Sequence, residues 1–145
     1  MRYYHGSSIA LAVGTRMVGR GAVYEKAWAN TDFYSVLERY RPDTHPRHQD
    51  VVFMVGDPDD IDLAGGATDW CFELKAEGPV TRHDLNWSSE ISCLISEGNS
   101  PDDVAVRDAA IAYWSGLPHP NESVWEYITP AASVVRCAPY ASFQV

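Results

Sequence analysis

The strand and helix signals of this 145-residue sequence do not alternate, and that order restricts its fold more than any other feature. Strictly interleaved strands and helices build doubly wound parallel sheets, whereas grouped strands build antiparallel sheets with helices set to one side. Arg2-Tyr3-Tyr4-His5 reads as a short first strand, because tyrosine favours pleated positions; Gly6-Ser7-Ser8 ends it. Gly14 and Gly19-Arg20-Gly21 punctuate a loop region. Asn30-Thr31-Asp32 supplies capping residues for a helix whose Phe33, Val36, Leu37 and Tyr40 fall at i, i+3, i+4 and i+7. Pro42 stops that helix. Residues 51–55 form a continuous apolar run, as a buried strand does. Gly56-Asp57-Pro58 turns the chain into a short helical turn over 59–64, which Gly65-Gly66 ends.

Residues 70–75 suit a strand, and 80–83 a partner strand beyond the turn at Glu77-Gly78-Pro79. A second helix starts with Ser100 as cap, Pro101 in the first turn, and Asp102 and Asp103 complementing the dipole. Val104 with Ile111, and Ala105 with Ala112, are expected to form its buried face, with Gly116 as its stop. A turn-rich loop over 117–121, a strand over 123–129 and another over 132–137 after Pro130 complete the pattern. The expectation is one mixed α+β domain over 1–145, with no repeat, linker or low-complexity segment. A composition of 46% hydrophobic and 21% charged residues suits a globular core.

Charge narrows the partners. Eleven Lys and Arg against twenty Asp and Glu give a net charge of -9, which argues against bulk duplex nucleic acid. Cys71, Cys93 and Cys137 are odd in number and widely spaced, without a CxxC pair. Reduced, mostly buried thiols in a cytoplasmic protein are expected. The apolar stretch 9–13 is too short for a signal-peptide core or a membrane span. GxGxxG, GxxxxGK[ST] and GxSxG motifs are all missing. His45-Pro-Arg-His48 has a metal-like spacing but no second ligand pair, so no metal is expected. Core packing is the expected role of the five tryptophans, with Trp114 and Trp125, which flank the loop 116–122, best placed to meet a partner instead.

Two residues carry the strongest chemical signal. His5 ends a strand and precedes glycine and two serines, so an imidazole, exposed amides and hydroxyls form a polar cradle. An ordinary turn after a strand-end histidine is the alternative. Glu126 lies in Ser-Val-Trp-Glu-Tyr-Ile, a strand-like aromatic stretch where glutamate is disfavoured. It either lines a pocket or faces solvent from an edge strand. Arg39, Arg41 and Arg47 form a phosphate clamp or a solvated helix end.

Together these segments resemble the ADP-ribosyltransferases of the diphtheria-toxin-like, His-Tyr-Glu branch. Tyr3-Tyr4-His5-Gly6-Ser7 resembles the first motif, and Val124-Trp125-Glu126-Tyr127-Ile128 with Pro130 and Val134-Val135 resembles the last. Val52-Phe53-Met54 before Gly56-Asp57-Pro58-Asp59 is the best match to the middle motif, with Phe53 where the branch commonly has tyrosine; Tyr24 or Tyr34 are the other rings available. The resemblance implies a single ADP-ribosyltransferase-like domain with a split mixed or antiparallel β core and peripheral helices. It implies NAD as substrate, no metal, and transfer of ADP-ribose to a macromolecular acceptor, with a protein as the expected one. Glu126 would stabilise the oxocarbenium-like state and His5 would orient the ribose. Gly6 and Ser7 would meet the nicotinamide amide, Arg47 the pyrophosphate, and Phe53 or Tyr34 a ring. Residues 116–122 fall where the family places its target-recognition loop. Val124 stands where arginine-directed members carry glutamate, so arginine is not the implied acceptor. By analogy, a compact acidic enzyme of this kind suits a phage or bacterial effector working in the host cytoplasm. Two alternatives stay open: an RNA 2′-phosphotransferase-like enzyme, which the acidic charge opposes, and a non-enzymatic interaction domain on the same fold.

Overall fold

The computed structural model describes residues 1–63 and 67–138. Among them the chain forms a mixed α+β architecture of four α-helices and two antiparallel sheets. In chain order the elements are β1 (Tyr3–Ser7), β2 (Arg16–Val18), α1 (Ala22–Trp28), α2 (Asp32–Arg39), β3 (Val52–Met54), β4 (Trp70–Ala76), β5 (Thr81–Asp84), α3 (Leu85–Ser96), α4 (Val104–Trp114), β6 (Trp125–Thr129) and β7 (Ala131–Cys137). Short 3₁₀ turns occupy His48–Asp50 and Pro58–Asp60. The contacts fall into two units. One comprises Met1–Gly19, Val51–Arg82 and Trp125–Val145, the other Arg20–Asp50 and His83–Val124.

The strands form a four-stranded sheet in the order β1-β4-β7-β2, which lies in the first unit, and a three-stranded one in the order β3-β6-β5, of which only the Thr81–Arg82 half of β5 belongs to that unit. Side chains alternate across a strand, so the apolar run at 51–55 serves two clusters. Val52 and Met54 pack with Phe72, Leu74, Ala132 and Val134. Val55 packs with Tyr4, Ile61, Cys71 and Ala138. A backbone bridge joins the two sheets at one point. Tyr4 N–H donates to the Val55 carbonyl at 2.8 Å, and Val55 N–H donates back to the Tyr4 carbonyl at 2.9 Å.

The second unit packs α3 against both α2 and α4. Asp84 caps α3 by accepting from the Asn86 N–H at 3.0 Å. The Trp114 indole N–H donates to the Leu37 carbonyl at 2.8 Å and ties α4 to α2. Gly116, at φ 72, ends the α4 segment where only glycine turns freely into left-handed backbone.

Several expectations need correction. The first strand runs on through Gly6 and Ser7 rather than stopping at His5. The second long helix starts at Val104 with Asp103 as cap residue, not Ser100. Its buried face is Val106, Ala109, Ala110, Ala112, Tyr113 and Trp114, so Ala112 is buried as expected while Val104, Ala105 and Ile111 are exposed. Helices α1 and α3 and strand β2 were not expected at all. Of the cysteines only Cys71 is buried. Trp114 is buried rather than available to a partner. The short helical turn lies at Pro58–Asp60, and the expected end of the segment at Ala64, Gly65 and Gly66 falls outside the described residues.

Candidate functional site

Five of the expected site residues belong to the first unit. Strand pairing explains how His5 comes to Phe53. Val55 turns its N–H and carbonyl toward β1, and Phe53, two residues earlier, presents its carbonyl to the same edge. There the His5 side chain takes the place of a strand partner, and its Nδ1 donates to the Phe53 carbonyl oxygen at 2.8 Å. A carbonyl only accepts, so the proton sits on Nδ1 in the neutral ring and Nε2 has acceptor character. A shallow cleft of about 40 Å³ opens beside this contact, lined by Tyr4, His5, Gly6, Phe53, Met54, Val55 and Ile61. That is far below the roughly 300 Å³ at which small-molecule sites begin, so it is a dimple rather than a formed ligand pocket.

Gly6 has a reason for being glycine that the sequence did not disclose. A Cβ built there would overlap the Ala67 carbonyl oxygen, and would lie 3.3 Å from Ile61 Cδ1. The open side of Gly6 is filled by the protein's own backbone. Gly6→Ala is therefore expected to lower stability by about 1–3 kcal/mol through overpacking, read as a lower urea midpoint. A parent-like midpoint would show that the 67 carbonyl moves away freely. Ser7 has its hydroxyl turned onto its own strand end, where it donates to the Ile9 carbonyl at 2.8 Å.

Glu126 sits on β6, the neighbour of β3. The register places Phe53 opposite Ile128, and Glu126 lies two residues from Ile128, so the Phe53 ring and the Glu126 carboxyl share one sheet face. Diagonal neighbours of this kind are about 7–8 Å apart. Glu126 is 4% exposed and is not among the residues lining the cleft. Burial pushes its carboxyl up to about 8, and no charge partner among the described residues offsets that cost. Near neutral pH the group is mostly protonated. It faces neither solvent nor an edge, which removes the solvent-exposed edge-strand alternative.

Tyr34 and Arg47 belong to the second unit. Tyr34 is buried on α2, with its ring 5.8 Å from Tyr24. Its phenol is held above the ordinary range, first by burial and then by Glu38 and Glu25. Arg47 is exposed and pairs with Asp50 at 2.9 Å. Its two sequence neighbours in the arginine cluster are likewise engaged, Arg39 with Asp102 and Arg41 with Glu38. All three arginines thus meet carboxylates, Arg39 and Arg47 from exposed positions and Arg41 from a half-buried one.

The loop after α4 is tied down by backbone and side-chain bonds that start at Asp84. Its Oδ2 accepts from the His119 N–H at 2.7 Å, and its Oδ1 accepts from the Val124 N–H at 3.0 Å. Trp87 Nε1 donates to the Leu117 carbonyl at 2.8 Å. The His119 ring lies against Trp87 and pairs with Glu90 at 3.0 Å. Asp84 was overlooked in the sequence, although an aspartate just before a run containing Ile91, Leu94 and Ile95 is a legible cap signal.

Among the described residues no group of three or more His, Cys, Asp or Glu side chains is placed to hold a metal ion. No helix of the described residues is long and apolar enough to cross a membrane. No protein-family model matches this chain, and neither does any curated protein sequence.

Proposed function

We propose that the protein is an NAD-dependent mono-ADP-ribosyltransferase acting on a macromolecular acceptor. The observation that carries the reading is the joining of two motifs distant in sequence: the His5 imidazole on β1 is fixed by the Phe53 carbonyl of β3, and β3 pairs with the strand that bears Glu126. The chemistry suits these groups. The ribose–nicotinamide bond breaks with its electron pair leaving on the nicotinamide, which becomes neutral. Positive charge develops at the ribose carbon, as in glycoside cleavage. Ionised Glu126 would hold a ribose hydroxyl and stabilise that charge. The acceptor's nucleophile then bonds to the same carbon and releases its proton. Nε2 of His5 would accept from a ribose hydroxyl and orient it. The cleft beside Gly6 is much smaller than NAD, so most of the dinucleotide would lie outside it.

An interaction domain with a degenerate pocket is the second reading. The burial of Glu126 favours it, since a neutral carboxyl cannot stabilise a cation. Nicotinamide release from NAD, with and without cell lysate, separates the two. Release that needs lysate is the expected result for a transferase; a folded protein that releases none under either condition moves the weight to the binding domain.

His5→Asn tests the ribose contact. Asparagine places an N–H where Nδ1 stood and keeps the bond to the Phe53 carbonyl, but supplies no counterpart of Nε2. The variant is expected to keep parental stability and to bind NAD about tenfold more weakly or worse, the effect of losing one buried hydrogen bond. Unchanged NAD affinity in a calorimetric titration would remove His5 from the site.

A further inference from the structure

An exposed guanidinium lies on an aromatic patch of the first unit. Arg82, on the strand beside β6, places its Cζ 3.7 Å from the centroid of the Trp125 ring. Trp125 and Tyr127 alternate with Glu126 along β6, so their rings occupy the opposite face of that strand from the carboxyl. Tyr3 of β1 extends the patch, its ring 5.3 Å from that of Tyr127. All three rings are half-buried, and Arg82 is exposed. Among the described residues, the Trp125 indole N–H and the Tyr3 and Tyr127 hydroxyls have no hydrogen-bond partner, and Arg82 has no carboxylate. Most arginines of this chain do meet one.

We propose that Arg82, Trp125 and Tyr127 form a second binding site, which takes a single nucleoside monophosphate with its base on the outer side of the Arg82 guanidinium and its phosphate at the guanidinium edge.

The chemistry of these groups selects that class of ligand. A guanidinium is planar; the indole covers one side of this one, and solvent meets the other. The outer side is a platform on which a base stacks. The guanidinium N–H groups form a fork that matches phosphate oxygens. An indole N–H only donates and a phenol can donate, so the unpartnered groups call for a ligand rich in acceptors. The Arg82 charge reaches the Tyr127 phenol, where it opposes the rise that burial causes. One cation matches one phosphate. A net charge of -9 repels a polyanionic strand, which favours a free nucleotide over single-stranded nucleic acid. An acidic peptide would leave the guanidinium plane without a stacking partner. The site does not depend on the transferase reading, since the patch and the Glu126 carboxyl lie on opposite faces of β6.

NMR titration of the full chain with adenosine monophosphate, followed at the Trp125 indole N–H, tests this. A saturable shift is expected. Adenosine and inorganic phosphate should each bind about tenfold more weakly or worse, because each lacks half of the contact. Arg82→Gln, which removes the charge, and Arg82→Lys, which keeps it without the planar fork, are both expected to weaken binding of the nucleotide about tenfold or more. His5→Asn should leave the Trp125 response in place, which tells failure of this site from failure of the transferase reading. No shift at Trp125, an affinity matched by adenosine or by phosphate, parental affinity in Arg82→Gln, a response abolished by His5→Asn, or tighter binding of a single-stranded tetranucleotide would each overturn the proposal.

Discussion

Glu126→Gln is expected to yield a protein more stable than its parent and unable to release nicotinamide. The carboxyl is fully enclosed and held up to about 8 by burial, whereas the unfolded chain ionises near 4.5. Between these values the unfolded state carries fewer protons, so the parent loses stability as pH rises through the window. An amide of nearly the same shape does not ionise and escapes that loss. The gain should be absent below about pH 4.5, reach at most about 3 kcal/mol near pH 7, and level off above the folded value. Urea unfolding of both proteins from mild acid to mild base checks it. Nicotinamide release by the parent should rise with pH toward about 8, because only the ionised group stabilises a cation. A variant less stable than the parent above neutrality would mean that Glu126 is ionised and paired, contrary to this account.

The second large effect is expected at Asp84. Its carboxylate is wholly buried and accepts from the backbone N–H groups of Asn86, His119 and Val124. These bonds, with the Ser123 side chain, outweigh burial and hold the acid below its usual range. Asparagine preserves the shape but turns an N–H toward at least one donor, so a buried pair of donors faces each other. The expected cost is about 2–4 kcal/mol, a fall in Tm of roughly 10 °C for a chain of this size. The His119 and Val124 amides should exchange faster than in the parent. The carboxylate's contribution is complete above the unfolded value near 3.8 and is lost as pH falls through the lower folded value. Parent-like stability and exchange in Asp84→Asn would show that the loop is held by other contacts.

What the sequence disclosed follows from what each signal reports. Periodicity reports apolar faces, and it located the buried strand β3, helix α2 and the strands β6 and β7 within a residue or two. It failed where hydrophobicity was not the deciding quantity. Ala109 and Ala110 lie on the buried face of α4, where small side chains let neighbouring helices approach, while the more hydrophobic Val104 and Ile111 stay outside. Helix α3 starts directly from β5 at Asp84, with no glycine or proline to mark the change, and its Ser88, Ser89 and Ser92 dilute the pattern. At the candidate site His5, Phe53 and Glu126 were legible as residue types. The partner of His5 is a main-chain carbonyl and the neighbour of Gly6 is another. Every residue has a carbonyl, so no pattern of side chains announces either contact.

The strand order β1-β4-β7-β2 also governs the sequence of events during synthesis. Strand β4 lies in the interior of its sheet, yet one of its two neighbours is β7, which leaves the ribosome after every other described element. Until residue 137 has been made, β4 can pair only with β1. Its other edge, through Phe72 and Leu74, then presents unsatisfied amides beside apolar side chains that the finished sheet covers. An exposed strand edge of this kind is a template for intermolecular pairing. Truncations that remove β7 should therefore aggregate rather than accumulate as soluble partial folds, and the yield of the full chain should depend on how long translation pauses before that strand emerges.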